Sequence, residues 1–263
     1  MTPTLHALLV AEIQAERLVA TATLLAGPGI GAKKRSGAEE QSGAAVRGGA
    51  KMLVWPERHA GSLGNRELDG EVLRVAAGAL TNQQSERFVF RQDESEWDVF
   101  VDVFPPPPQL VIVGAVHIAI PLVTFAKALG FRTIVVDARR AFATPERFAH
   151  ADRLLIGWPG DILPTLNLNE STCLVTLTHD EKLDNPALLV ALNSPVRYIG
   201  ALGSRRTHAS RVAALKAEGA SDEQITRIHA PIGLNLGGRR PEEIAVAIIG
   251  QIVQVTNEKL MVR

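Results

Sequence analysis

The chain has 263 residues, 46% of them hydrophobic, with 28 basic and 28 acidic side chains and a formal charge of zero. Zero net charge supplies no global field for nucleic acid or an anionic membrane, which sets both aside as partners. The one cysteine, Cys173, excludes an internal disulfide and an all-cysteine zinc site; no run reaches the ~20 apolar residues of a membrane span, and the first residues lack the basic-then-apolar layout of a secretion signal, so a soluble cytoplasmic protein is expected.

Leu5 to Leu18 reads as a helix and Val19 to Leu25 as a strand. Gly27 to Gly49 is rich in glycine, serine, alanine and charge, which predicts a loop longer than compact domains usually keep. Strand character resumes at Ala50, Gly61 and Gly64 mark a turn, and Glu67 to Leu80 has the spacing of an amphipathic helix. Arg87 to Arg91 and Asp98 to Phe104 read as paired strands. Four prolines, Pro105 to Pro108, fit neither a helix nor a central strand and predict a stiff connector. The expected organisation is a small α+β domain over 1–104, a linker at 105–108 and a second domain over 109–263.

Beyond the prolines, strands and helices alternate. Leu110 to Gly114 precedes a helix from His117 to Leu129, and TIVVDAR, LLIGWPGD, CLVTLTHD and RYIGALGS follow as further strands. Helices are expected from Asn185 to Leu192, after Ser204, after Ser221, and from Pro241, whose Glu242 and Glu243 suit a helix start. The strands are continuous β-branched runs, as when helices cover both faces of a parallel sheet. The fold class read from this pattern is α/β, a Rossmann-like doubly wound parallel sheet with a smaller N-terminal α+β domain.

Four segments carry candidate chemistry. VIVGAVHIA stands where a dinucleotide fingerprint would, with Gly114 in the first glycine position but Val116 in the second, where a side chain obstructs a pyrophosphate. Asp137 fits the acid that would bind a ribose hydroxyl, while Arg139 fits a phosphate; an ordinary strand-to-helix turn fits the segment equally. His179 and Asp180 end a strand and Asp184 stands before the next helix, on the side where open parallel sheets bind ligands, and the three could move a proton or hold a metal. The alternative is that Asp184 or Asn185 caps a helix and Asp180 pairs with an arginine. Gly203 and Ser204 break the next strand into a helix whose first turn carries Arg205, Arg206 and His208, a phosphate site or simply a helix start with solvated arginines. The loop with His229, Gly233, Gly237 and Gly238 either points backbone N–H groups at a ligand or needs glycines for positive φ. Cys173, within an apolar strand, reads as core.

In this order VIVGAVHIA, VVDARRAFATPERFAHAD, THDEKLDNPALLVAL, YIGALGSRRTHASRV and RIHAPIGLNLGGRRPEEIAVAI resemble the XdhC/CoxI family of molybdenum-hydroxylase maturation factors. The resemblance covers the chain beyond the prolines and is looser before them, resting on GGAKMLV, Gly61 to Gly64 and ELDGEVLRVA. It implies a chaperone, not a turnover enzyme, that binds molybdenum cofactor (molybdopterin) and assists its insertion into an apo molybdenum hydroxylase of the xanthine dehydrogenase or carbon monoxide dehydrogenase type. The implied cofactor-binding residues are Gly114, His117, Asp137, Arg139, His179, Asp180, Asp184, Gly203, Ser204, Arg205, Arg206 and Gly233, with Gly64 and Glu67 from the first domain; no catalytic residue or protein metal ligand is implied. Two departures stand out: Gly114-Ala115-Val116-His117 replaces the family's G-x-G-H, and Gly64-Asn65-Arg66-Glu67 replaces a turn ending in Cys-Glu, keeping the acid without the thiol. The competing readings are an NAD(P)-dependent oxidoreductase with His179 as acid/base, and a nucleotide-binding regulatory paralogue. The apolar last helix, with Ile244, Ala247, Ile248 and Ile252, would serve a homodimer as readily as a core.

Overall fold

The computed structural model describes residues 3–28, 48–92 and 95–258, so most of the expected polar loop from Gly27 to Gly49 lies outside the described residues. The chain divides into two compact units, Met1–Pro106 and Pro107–Arg263. Among the described residues no helix is long and apolar enough to cross a membrane.

In the first unit a helix, α1 (Pro3–Gln14), precedes β1 (Val19–Ala26), β2 (Lys51–Val54), β3 (His59–Gly61), α2 (Arg66–Asn82), β4 (Glu86–Gln92) and β5 (Ser95–Phe104). The strands form an antiparallel sheet in the order β3-β2-β1-β5-β4. Alternation along β5 sends Trp97, Val99, Val101 and Val103 inward, where they meet Leu68, Val72 and Ala76 of α2 in one core. Asn65 starts α2 by accepting from the Glu67 and Leu68 N–H groups, and Gln83 ends it in the left-handed region. The first helix stops short of the expected Leu18: Glu16 turns the chain at φ 51°, and Leu18 joins the core.

The second unit holds β6 (Gln109–Val113), α3 (Ala119–Ala128), β7 (Arg132–Asp137), β8 (Arg153–Ile156), α4 (Pro159–Ile162) running into a 3₁₀ turn, β9 (Thr172–Thr176), α5 (Glu181–Leu192), β10 (Tyr198–Ala201), α6 (Arg205–Ala217), α7 (Asp222–Thr226), β11 (Ile228–His229) and α8 (Pro241–Glu258). All six strands are parallel, in the order β11-β10-β9-β6-β7-β8. That is two halves wound outward from the β6–β9 pair, the doubly wound arrangement. Every residue of β6 and β9 is buried because both faces are covered. Leu110, Ile112, Val135 and Val175 pack under α3 and α8, while Val111, Val113, Ile134 and Leu174 pack under α5. Cys173 lies in the first of these cores, and burial pushes its thiol up to about 12, so it is a packing residue with no thiolate at neutral pH.

Three local expectations are revised. The segment around Asp161 is strand only to Ile156, because Pro159 opens a short helix. Ile228 and His229, expected in a loop, add the sixth strand beside β10. The helix expected from Asn185 starts four residues earlier, at Glu181, capped by Asp180, whose carboxylate accepts from the Lys182 N–H.

Candidate functional site

In a doubly wound sheet the crevice opens where neighbouring chains leave the sheet in opposite directions, here beyond β6 and β9. The two strands are held together to their last residue, the Leu177 N–H donating to the Val113 carbonyl at 2.8 Å. Gly114 then turns at φ +115°, and a Cβ there would stand 2.8 Å from Thr178 Cγ2 and 3.2 Å from the Thr178 backbone nitrogen. The first fingerprint glycine is therefore required by close packing of two backbones. Val116 packs against the core beneath α3 and α8, leaving His117 exposed on the turn.

Asp137, at the end of β7, is fully buried, and both its oxygens are taken. One accepts from the Arg139 N–H and Nε, both at 2.9 Å; the other accepts from the Ala115 N–H and Arg139 Nη2, both at 2.7 Å. Arg139, 30% exposed, lies over the Phe142 ring at 4.6 Å. From the sequence, Asp137 suits a ribose and Arg139 a phosphate; in the fold each is engaged by the other. Burial pushes the Asp137 carboxyl up, but the Arg139 side chain and the two backbone N–H groups outweigh it and hold the group below its ordinary range. A depressed carboxylate contributes stability above its unfolded value and loses it as pH falls toward the folded one. Asp137→Asn is thus expected to cost about 1.5–3 kcal/mol at pH 7, the scale of charged hydrogen bonds. Urea unfolding curves of variant and parent should converge as pH falls below about 4, the ordinary carboxylate value; a gap that persists unchanged at acid pH would contradict this.

At the end of β9, His179 is exposed and sits in the left-handed region at φ 60°. Asp180 is partly exposed at the cap of α5. Asp184 departs from the expectation that it faces the cleft. It is completely buried one turn into α5, where it accepts from Thr178 Oγ1 at 2.6 Å and from Arg211 Nη2 at 3.3 Å. The capping role entertained for Asp184 or Asn185 belongs to Asp180. Among the described residues no three His, Cys, Asp or Glu side chains are grouped to hold a metal ion.

At the end of β10, Gly203 turns the chain at φ +145°, and a Cβ there would meet Thr207 at 3.2 Å. Ser204 caps α6, its hydroxyl accepting from the Thr207 N–H at 3.1 Å, while the His208 N–H donates to the Ser204 carbonyl. The backbone N–H groups of Arg205 and Arg206 open the helix ahead of the first intrahelical bond, beside two exposed guanidinium groups. Helix dipole, amides and guanidiniums together make this end of α6 suited to an anion.

The glycine loop behaves differently from its expected ligand role. The Gly233 N–H donates to Gln251 Oε1 at 2.8 Å, the same oxygen that accepts from the Tyr198 hydroxyl at 2.6 Å, and a Cβ at Gly233 would press on Ala247 at 3.3 Å. Gly233 thus lets the loop lie close on α8. Gly237 has positive φ, whereas Gly238 does not; a Cβ there would stand 2.5 Å from Glu243 Cβ. In the first unit Gly64 turns at φ +97°, with its N–H donating to Ser62 Oγ, and the exposed Glu67 accepts from Gln92 Nε2. Asn65, beside the missing thiol position, has become the cap of α2.

Sequence reasoning missed Thr178 and Arg211. The signal for Arg211 was its place one turn before Leu215, on the face of α6 that turns inward.

Residues 110–252 match the XdhC Rossmann domain and residues 38–91 the XdhC and CoxI family. A protein of Escherichia coli K12 named uncharacterized protein YqeB is 29% identical over 224 residues, covering 80% of this chain and 41% of that protein. A protein of Bacillus subtilis 168 named as a probable xanthine dehydrogenase subunit is 31% identical over 157 residues, 60% of this chain and 46% of that one. The molybdenum cofactor insertion chaperone PaoD of Escherichia coli K12 is 26% identical over 166 residues, 62% and 46%. The chain spans less than half the length of these relatives. A solved structure described as a xanthine dehydrogenase from Bacillus halodurans shares the fold, with a TM-score of 0.52 and 19% identity over 96% of this chain and 95% of that one. With more than half its length matched by the Rossmann domain and part of the first unit by the companion one, the chain belongs to the XdhC/CoxI family.

Proposed function

We propose that this protein binds molybdenum cofactor and delivers it to an apo molybdenum hydroxylase, in keeping with the name of its relative PaoD, a molybdenum cofactor insertion chaperone. The observation that carries the reading is the contrast between two strand ends of one sheet. The ribose-binding acid of a dinucleotide site, Asp137, is sealed by Arg139 and the Ala115 N–H, while the start of α6 presents its first-turn amides and two exposed guanidiniums suited to a phosphate. That disfavours nicotinamide dinucleotides and favours a ligand recognised first through its phosphate.

The donor set fits the organic part of the cofactor. Arg205, Arg206 and the first amides of α6 would hold the phosphate, and His117, His179 and Asp180, on neighbouring loops, would meet polar edges of the pterin. Without a protein trio grouped to coordinate metal among the described residues, the molybdenum would be carried through its pterin. The bound cofactor supplies the redox-active metal centre to the receiving enzyme; this chain's contribution is to hold, orient and release it.

Anaerobic titration of the purified protein with molybdenum cofactor tests the reading, with NAD and NADP in parallel. Saturable binding of the cofactor is expected, weakened by about 1–3 kcal/mol in Arg205→Ala/Arg206→Ala through loss of charged hydrogen bonds, with no comparable binding of either nicotinamide. A folded protein that ignores the cofactor, or prefers a nicotinamide, would overturn it.

A further inference from the structure

The His179–Asp180 loop and the turn that starts α6 follow different strands, yet one buried polar chain joins them. The Asp180 N–H donates to Thr178 Oγ1 at 3.0 Å, and Thr178 Oγ1 donates to Asp184 Oδ1 at 2.6 Å. Asp184 Oδ2 accepts from Arg211 Nη2 at 3.3 Å, and the same nitrogen donates to the Leu202 carbonyl at 3.1 Å. The path therefore runs from the cap of α5, through its first turn, across to α6, and back to the residue before Gly203. The pair is sealed from solvent, with side-chain exposures of 3% for Arg211 and 1% for Asp184. Arg211 Nη1 also lies 3.8 Å from the point a Gly203 Cβ would occupy, directly under the turn that starts α6.

Stability does not account for this arrangement. Two desolvated charges hold a fold together no better than apolar residues of similar volume. Among the described residues Arg211 Nε and Nη1 are also buried without a hydrogen-bond partner, which carries a further cost. What a charged pair does better than an apolar contact is fix direction: each bond orients a particular backbone group on one of the two loops. We infer that the Asp184–Arg211 pair is a positioning device, which locks the His179–Asp180 loop and the Leu202–Arg206 turn into one mutual geometry so that both engage a phosphate-bearing ligand together. Arg211 acts on the ligand only through Leu202 and Gly203. The inference rests on the proposed ligand site, and its experiment separates the two.

The test uses the full chain and the volume-conserving double variant Asp184→Asn/Arg211→Met, which removes both charges and leaves neither unpaired. Two readouts are taken: amide hydrogen exchange of the ligand-free protein, and calorimetric binding of inorganic pyrophosphate. The expected result is a melting temperature within a few degrees of the parent, faster exchange confined to 178–184 and 202–208, and pyrophosphate affinity reduced at least tenfold. Arg211→Lys, which restores a cation to Asp184, should recover protection in both segments and part of the affinity. Unchanged exchange in either segment overturns the positioning role whatever the binding result. If the parent protein ignores pyrophosphate, the phosphate site falls, and the exchange pattern still decides whether the pair couples the loops.

Discussion

Arg211→Met alone is expected to cost the folded protein about 3–5 kcal/mol, because it strands Asp184 as an unpaired carboxylate in a dry interior. Burial already pushes the Asp184 carboxyl above its ordinary range, with Thr178 and Arg211 pulling the other way. Removing the guanidinium removes one of those opposing influences, so the folded value climbs further. For an acid raised on folding, the folded state binds the extra proton, and stability falls as pH rises from the unfolded value toward the folded one. The deficit of the variant should therefore be smallest near the ordinary carboxylate value, about pH 4, and grow toward neutral pH. Urea denaturation at a series of pH values measures this directly. A deficit of equal size at all pH values would show that lost packing, not the stranded charge, sets the cost.

Gly114→Ala should be comparably damaging, at about 2–6 kcal/mol. A side chain at φ +115° costs about 1–3 kcal/mol by itself. The new Cβ would also be forced against Thr178, whose Cγ2 is 2.8 Å away and whose backbone nitrogen is 3.2 Å away, and overpacking of that kind adds about 1–3 kcal/mol. Backbone cannot swing aside as a flexible side-chain end can. For a unit of this size the loss corresponds to a fall in melting temperature of roughly 4–24 °C, which calorimetry would resolve. Gly237→Ala serves as the comparison: its φ is also positive, but a Cβ there meets nothing within 4 Å. Equal losses at the two positions would remove close packing as the explanation for Gly114.

These two residues also mark where sequence reading succeeds and stops. The alternation of apolar strands with helices, the Ser204 and Ser221 caps and the Pro241 start were legible because each is a local rule acting on adjacent residues. Gly114 was legible as a special position but not for its reason, since its partner, Thr178, arrives from another strand. Asp137 and Arg139 were each credible ligand contacts on paper; only three dimensions reveal that they satisfy one another. Arg211 was hidden because a charged residue on a helix reads as surface unless the buried acid that meets it is known, and Asp184 lies 27 positions away. The short strand β11 was lost to its length, two residues being too few for any periodicity.

The edges of both sheets bear on how this protein behaves at high concentration. The parallel sheet ends in β11, of two residues, and β8, of four; the antiparallel sheet ends in β3, of three residues. Strands this short offer too few open backbone groups to recruit a second chain. The longest edge, β4, carries Arg87 and Arg91 on its exposed side, paired with Asp98 and Glu96 of its neighbour, and charge on an edge resists docking of another strand. Self-association among the described elements would therefore run through helix faces, such as the exposed Val246 and Val253 of α8, and not through the addition of strands to either sheet.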